Sequence, residues 1–260
     1  MNLVTIGFEE DDLPTPMPTR PTTKPASIRS KPASRRAAAD ATLADTGKAA
    51  RSRMTQTRIV DAAEELFSHH GIYGVSLRDI ADRAGVDTAL LHYHFDNRDG
   101  IYEAVLQRRA ADVNDARLKS MDRYARATNG KPTVEGVVSA YLHPVFERLH
   151  EGGRGFNNYA ALIALANNSA LWGGGAVKEY FDPAVQRLIE LLHRAMPKAR
   201  EEDLYWAYQF LSGALTLSYS RNKRIEGLSH GRCRANDYAA IEPRLIAWCT
   251  AGILALTSDK

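Results

Sequence analysis

Apolar residues recur at helical spacing along most of this chain, and glycines cut the pattern into short pieces between residues 70 and 100. Ile59, Ala62, Ala63, Leu66 and Phe67 follow the i, i+3, i+4, i+7, i+8 order of one helix face, with Thr55 or Thr57 placed to cap it. Gly71 and Gly74 punctuate a turn. Ser76, with Asp79 three residues on, has the spacing of a capping box ahead of Leu77, Ile80, Ala81 and Ala84. Gly85 suits a left-handed turn, Val86 fills the angle between helices, and Asp87 is placed to cap a short third helix. Asp96 and Asp99 repeat the box spacing, so the third helix is expected to stop near Phe95 as a fourth begins. The pattern predicts a helix-turn-helix.

In the third helix Leu91 and Phe95 lie one turn apart and face a core, leaving Thr88, Ala89, His92 and Tyr93 outward. Small residues at the leading end permit close approach to a major groove, where aromatic and imidazole groups reach thymine methyls, base edges or phosphates. The other reading of the same pattern is an αα-hairpin with a solvated polar face.

Beyond residue 99 the chain reads as helices joined by short loops. A fourth helix is expected from Asn97 to about Tyr124, its Ile101 and Val105 docking on the first three. Val134 to Phe146 keep one helical face that Pro144 should kink or divide, opening space for a ligand. Phe156 to Leu171 form another apolar helix, interrupted by Asn157/Asn158 and Asn167/Asn168. Asp182 and Pro183 read as the N-cap and first residue of a helix stopped by Pro197. From Glu202 to about Asn222 and from Ile241 to Leu256, apolar residues occupy more than one stripe. Such helices need two partners, and the readings are a homodimer surface, with Gly213, Ala214, Ala251 and Gly252 allowing close approach, or burial within one chain.

Residues 55 to 106 resemble the DNA-binding domain of the TetR family of bacterial transcriptional regulators. The motifs are LF at Leu66–Phe67, G-x-x-G-V-S-L-R-D-I-A from Gly71, A-G-V from Ala84, and L-x-Y-H-F-x-N-R-D from Leu91. The resemblance implies an all-α dimer, with a three-helix DNA-binding domain that grips double-stranded operator DNA and a helical C-terminal domain that binds an effector and dimerises. It also implies that Arg78 reaches a guanine, that Thr88 and Ala89 face bases, that His92, Tyr93 and His94 contact backbone and thymine methyls, and that Arg98 meets a phosphate. Two positions depart from the family: His92 stands where Tyr is usual, and Gly100 where a helix former is usual, at a cost of about 1 kcal/mol. The stretch from Tyr180 to Ser220 is similar to the PsrA-like branch of that family, which implies a hydrophobic effector such as a long-chain fatty acid or acyl-CoA. A small aromatic compound is the alternative. Tyr141, Phe146, Trp172, Phe181, Phe210 and Tyr219 are candidates to line the pocket, with Asn157, Asn158 or an arginine for a polar head.

Composition sharpens the division of the chain. The net charge is only +3, but Arg20, Lys24, Arg29, Lys31, Arg35, Arg36, Lys48, Arg51 and Arg53 face only Asp40 and Asp45 between Pro14 and Arg53, which also holds six of the eleven prolines. Residues 1–53 are therefore expected to be a disordered basic tail, read either as an arm for phosphates or as a solvated segment without a dedicated role. Residues 54–100 would be the DNA-binding domain and 101–260 the effector and dimerisation domain. Cys233 and Cys249 have neither metal nor disulfide spacing. No apolar run was expected to reach membrane-spanning length, and the N-terminus has no apolar signal core, which points to a cytoplasmic protein without a membrane partner. No cofactor is implied. An enzyme and a helical protein-interaction module are the rival classes; against the first, His92 and His94 lack further metal ligands and the glycine clusters follow no strand.

Overall fold

The computed structural model describes residues 33–151, 153–167, 175–220 and 223–257, with side chains from Gly47 onward apart from residues 154 and 175–177, and every regular element among them is a helix. Residues 1–48 and 49–260 cluster as separate units, the described part of the first being the leading stretch of α1. Among the described residues the helices are α1 (Ala33–His70), α2 (Leu77–Ala84), α3 (Thr88–Phe95), α4 (Arg98–Ala127), α5 (Val134–Glu151), α6 (Gly153–Asn167), α7 (Gly175–Ala195), α8 (Glu201–Tyr219), α9 (Arg224–Leu228) and α10 (Tyr238–Thr257).

The α1 start is a correction to the expected disordered tail, since helix already covers residues 33–53. Pro32 is the last proline before it, and alanines at positions 33, 37–39, 41, 44, 49 and 50 favour helix over other states. Thr55 and Thr57 consequently cap nothing; their hydroxyls donate to the Arg51 and Arg53 carbonyls one turn back. The expected face of α1 is buried, with Ile59, Ala63 and Phe67 fully covered.

The capping box at α2 is present in both halves: Ser76 Oγ accepts from the Asp79 backbone N–H at 3.2 Å, and the Ser76 N–H donates to Asp79 Oδ2 at 2.8 Å. Gly85 ends α2 at φ 63°, and Asp87 caps α3 by accepting from the Ala89 N–H at 2.7 Å. The second box is not formed. Asp96 instead closes α3 at φ 64°, and Asn97 caps α4 through Oδ1, which accepts from the Gly100 N–H at 2.9 Å.

The long α4 packs against α5 and α7, and α10 against α5 and α8. Pro144 neither divides nor ends α5; it is buried within it. Nor does Pro183 begin α7, which starts two turns earlier and carries through because Phe181 and Ala184 bury on the face that holds Leu188 and Leu192. α10 has a mean hydropathy of 1.4 over an 18-residue window, enough by length and composition alone to cross a membrane, against the expectation that no such run exists. Leu245, Cys249 and Ile253 are buried against the rest of the chain, but only 17% of that window is buried, so most of α10 is uncovered in the single chain.

Candidate nucleic-acid interface and effector cavity

Polar side-chain contacts fix the turn before α3 and the end of α3 itself. Arg58 of α1, which the apolar pattern gave no reason to notice, donates from Nη2 to the Ala84 and Gly85 carbonyls at 2.5 and 2.9 Å and ties down the turn. Gln56 Nε2 lies 3.3 Å from His94 Nδ1, pinning the end of α3 to α1. His92 Nδ1 donates to the Asp96 carbonyl at 2.8 Å, which supports the left-handed Asp96.

On this frame Leu91 is buried and Phe95 half-buried, while Ala89, His92 and Tyr93 are exposed and Thr88 is partly so. Tyr93 is 78% exposed, its ring edge-on to His94 at 4.9 Å. Arg78 projects from α2, its side chain 87% exposed and 3.9 Å from Asp82, so little holds it back from an anion. Two of the implied contacts are placed differently. His94 is only partly exposed and engaged with α1. Arg98 folds back, its guanidinium 5.5 Å from the centre of the exposed Tyr73 ring and Nη1 3.4 Å from the Val75 carbonyl, with Nε buried and unpartnered.

The candidate pocket residues do not converge on one place. Phe181 and Tyr219 line a cavity of about 20 Å³, room for roughly one water, where α4, α5, α6, α7 and α8 meet. Tyr141 lies beside it under Arg117, whose guanidinium carbon is 4.2 Å from the ring centre. Burial pushes the phenols of Tyr159 and Tyr219 well above their ordinary range, so both are neutral hydrogen-bonding groups here. Phe146 is core, packed towards Tyr238 with ring centres 6.3 Å apart. Asn157 is occupied at both ends, donating to the Gly153 carbonyl at 3.1 Å and accepting from Tyr238 Oη at 3.2 Å. Asn158 is partly exposed. Phe210 lies elsewhere: it is 54% exposed on α8, stacked on Trp206 at 5.9 Å, and lines a separate apolar pocket between α8 and α10 with Leu211, Trp248 and Ile253. Trp172 lies outside the described residues.

Arg117 was not singled out by number, since a lone arginine in a helix reads as surface. Arg109 was missed for the same reason. It joins the cavity wall to α1, its guanidinium carbon 4.9 Å from the centre of Phe156 and its Nε 3.4 Å from the buried Glu64. Arg108 also pairs with Glu64, and with Asp61 at 2.5 Å.

Comparison with known proteins follows this division. Residues 59–105 match the model of bacterial regulatory proteins of the tetR family, and residues 139–252 that of the tetracyclin repressor-like C-terminal domain. The HTH-type transcriptional repressor KstR2 of Rhodococcus jostii is 29% identical over 84 residues, which are 32% of this chain and 40% of that protein. The HTH-type transcriptional regulator TtgR of Pseudomonas putida is 31% identical over 97 residues, 36% of this chain and 42% of that one. The chain thus matches about two fifths of these relatives' length. Among solved structures, the fatty acid degradation regulator FadR of Bacillus halodurans shares the fold at TM-score 0.54 and 18% identity, covering 76% of this chain and 95% of that one. The hemolysin II regulator HlyIIR does so at TM-score 0.53 and 16% identity, over 80% and 99%. These families are regulators, so the enzymatic alternative falls away. With family models matching at both ends, in the order in which the helices lie, the chain belongs to the TetR family of bacterial transcriptional regulators.

Proposed function

We propose that this protein is a ligand-responsive transcriptional repressor of the bacterial cytoplasm, binding operator DNA as a homodimer and leaving it when a hydrophobic small molecule enters the helical domain. The observation that carries the DNA reading is the capped, pinned α3, which presents Ala89 and the 78% exposed Tyr93 beside Arg78 of α2. Small and aromatic groups at the leading end of such a helix suit the major groove, with Arg78 in reach of a guanine edge or a phosphate. Arg98 reaches a phosphate by swinging off Tyr73.

Dimerisation through α8 and α10 is supported by a second feature. Trp206, Phe210, Leu217 and Trp248 are each half or more exposed on adjoining helices, with Gly213 and Gly252 open between them. A contiguous exposed apolar patch of that kind marks an interaction surface.

Release follows from differential affinity: a ligand that binds the DNA-incompetent arrangement more tightly empties the operator, and a ligand indifferent to the two shifts nothing. A cavity with room for one water must expand to take a larger guest, and its wall at Phe156 carries Arg109, which holds α1 through Glu64.

The test is binding to the chain's own upstream DNA. Tyr93→Ala and Arg98→Ala are each expected to weaken it by about 1–3 kcal/mol, and Arg78→Ala to relax sequence preference, with helicity preserved. Unchanged affinity and preference in all three variants would overturn the assignment of this face.

A further inference from the structure

Arg117 is 5% exposed, and among the described residues no carboxylate lies within 4 Å of its guanidinium. Nε donates to the Tyr141 carbonyl at 3.2 Å and Nη1 to Asn114 Oδ1 at 3.1 Å, while Nη2 has no hydrogen bond. Asn114 is 3% exposed, and its Nδ2 is buried with no partner at all. A full positive charge at the cavity wall and a spare amide donor three residues before it thus stand on one face of α4; the amide is sealed from water, while Nη2 keeps an accessible edge. The other arginine at the cavity is already neutralised: Arg148 donates to Asp112 from Nε and Nη2 at 2.8 and 3.1 Å, and that pairing holds the Asp112 carboxyl below the usual carboxylate range. The tyrosines beside Arg117 offer no negative charge of their own.

Burying a cation without an anion is costly, and fully buried arginines are paired as a rule. A guanidinium with a free nitrogen, flanked by an amide N–H, matches the planar two-oxygen face of a carboxylate, whereas a doubly charged phosphate would want more than one unpaired cation. The remaining walls, among them Val113, Val145, Phe156 and Ile163, are apolar. Resting on the reading of this domain as an effector site, we infer that the effector is an amphipathic carboxylate, its head held by Arg117 and Asn114 and its apolar body among α5, α6 and α7. This narrows the candidate effectors to those with a free carboxylate, against thioesters and neutral compounds. Arg117 is the sequence reading's unnamed arginine, and Asn114 stands where Asn157 and Asn158 were expected.

A purely structural duty is the competing account. Pro144 leaves the Ala140 carbonyl without its helical donor, and Arg117 Nε serves the next carbonyl in that turn, so the residue could be there only to brace α5.

Titration calorimetry on the full chain without DNA separates the two. The probes are dodecanoic and hexadecanoic acids against the corresponding primary alcohols, and naphthoic acid against naphthylmethanol, which also distinguishes aliphatic from aryl bodies. At least one acid is expected to bind tenfold or more tightly than its alcohol. Arg117→Gln is expected to erase that preference while leaving alcohol binding within about threefold. Asn114→Asp supplies a carboxylate inside the protein; it is expected to raise the melting temperature of the ligand-free chain and to weaken the acid at least tenfold, a change that bracing of α5 would not produce. No acid preference in the wild-type chain, or the same preference in a folded Asn114→Asp variant, would overturn the inference. The regulatory reading fails separately, if an acid binds as expected yet leaves operator affinity unchanged.

Discussion

At the scale of single residues, Gly100 shows how the turn between α3 and α4 selects its amino acid. A Cβ there would lie 2.3 Å from the Phe95 carbonyl oxygen, closer than real Cβ contacts come. Helix propensity favours alanine by about 1 kcal/mol, but the clash is with backbone and outweighs it. Gly100→Ala is therefore expected to destabilise the protein by about 1–3 kcal/mol in thermal unfolding; a neutral or stabilising effect would show that the turn relaxes freely. Much of this local grammar was legible in the sequence, because caps and turns depend on residues a few positions apart: Ser76, Asp79, Gly85 and Asp87 are each found in the role that their spacing suggests. Asp96 was misread for an instructive reason. Asp96 and Asn97 are both capping residues, and Asn97 prevailed once Asp96 was needed in the left-handed conformation that stops α3.

Among elements, the contact of most consequence joins α1, α4 and α6. Glu64 is 3% exposed and shared by Arg108 and Arg109, and only Arg109 also touches Phe156 at the cavity. Coupling between distant sites needs a packed element with two arrangements, and α6 is placed to supply it, since a guest that displaces Phe156 also moves the arginine holding α1. Arg109→Ala leaves Arg108 to neutralise Glu64, so the fold should persist. Its expected signature is operator affinity within about threefold of the wild type, with the weakening caused by saturating hexadecanoic acid reduced at least fivefold in fluorescence anisotropy. An equal weakening in both proteins would place the coupling elsewhere. None of this was legible beforehand. The two arginines lie about 45 positions from Glu64 in sequence, and periodicity reports which residues are apolar, not which distant charges meet. The same limit explains α1 and α7: the pattern located their apolar stripes, while their starts at Ala33 and Gly175 depend on alanine content and on packing that carries a helix through Pro183.

For the whole molecule, the all-α architecture and the order of its parts were plain from helical periodicity and spaced motifs, whereas the cavity's location was not. Aromatic residues looked alike in sequence whether they ended at the cavity, as Phe181 did, or on the outer face, as Phe210 did. That outer face makes its own prediction. Gly213 is exposed on α8 with open space about it, so Gly213→Trp leaves the single chain unstrained and should block a close crossing with a second copy. Sedimentation is expected to show monomer and operator binding to fall at least tenfold; a dimer that binds normally would move the interface elsewhere. The most direct test of the central claim is selection of bound fragments from random double-stranded DNA, followed by footprinting of the enriched site. The account predicts an inverted repeat whose half-sites lie about one helical turn or a multiple of it apart, protected on one face of the duplex, with enrichment lost on Tyr93→Ala. Failure to enrich any sequence, or recovery of the same site by Tyr93→Ala, would contradict it.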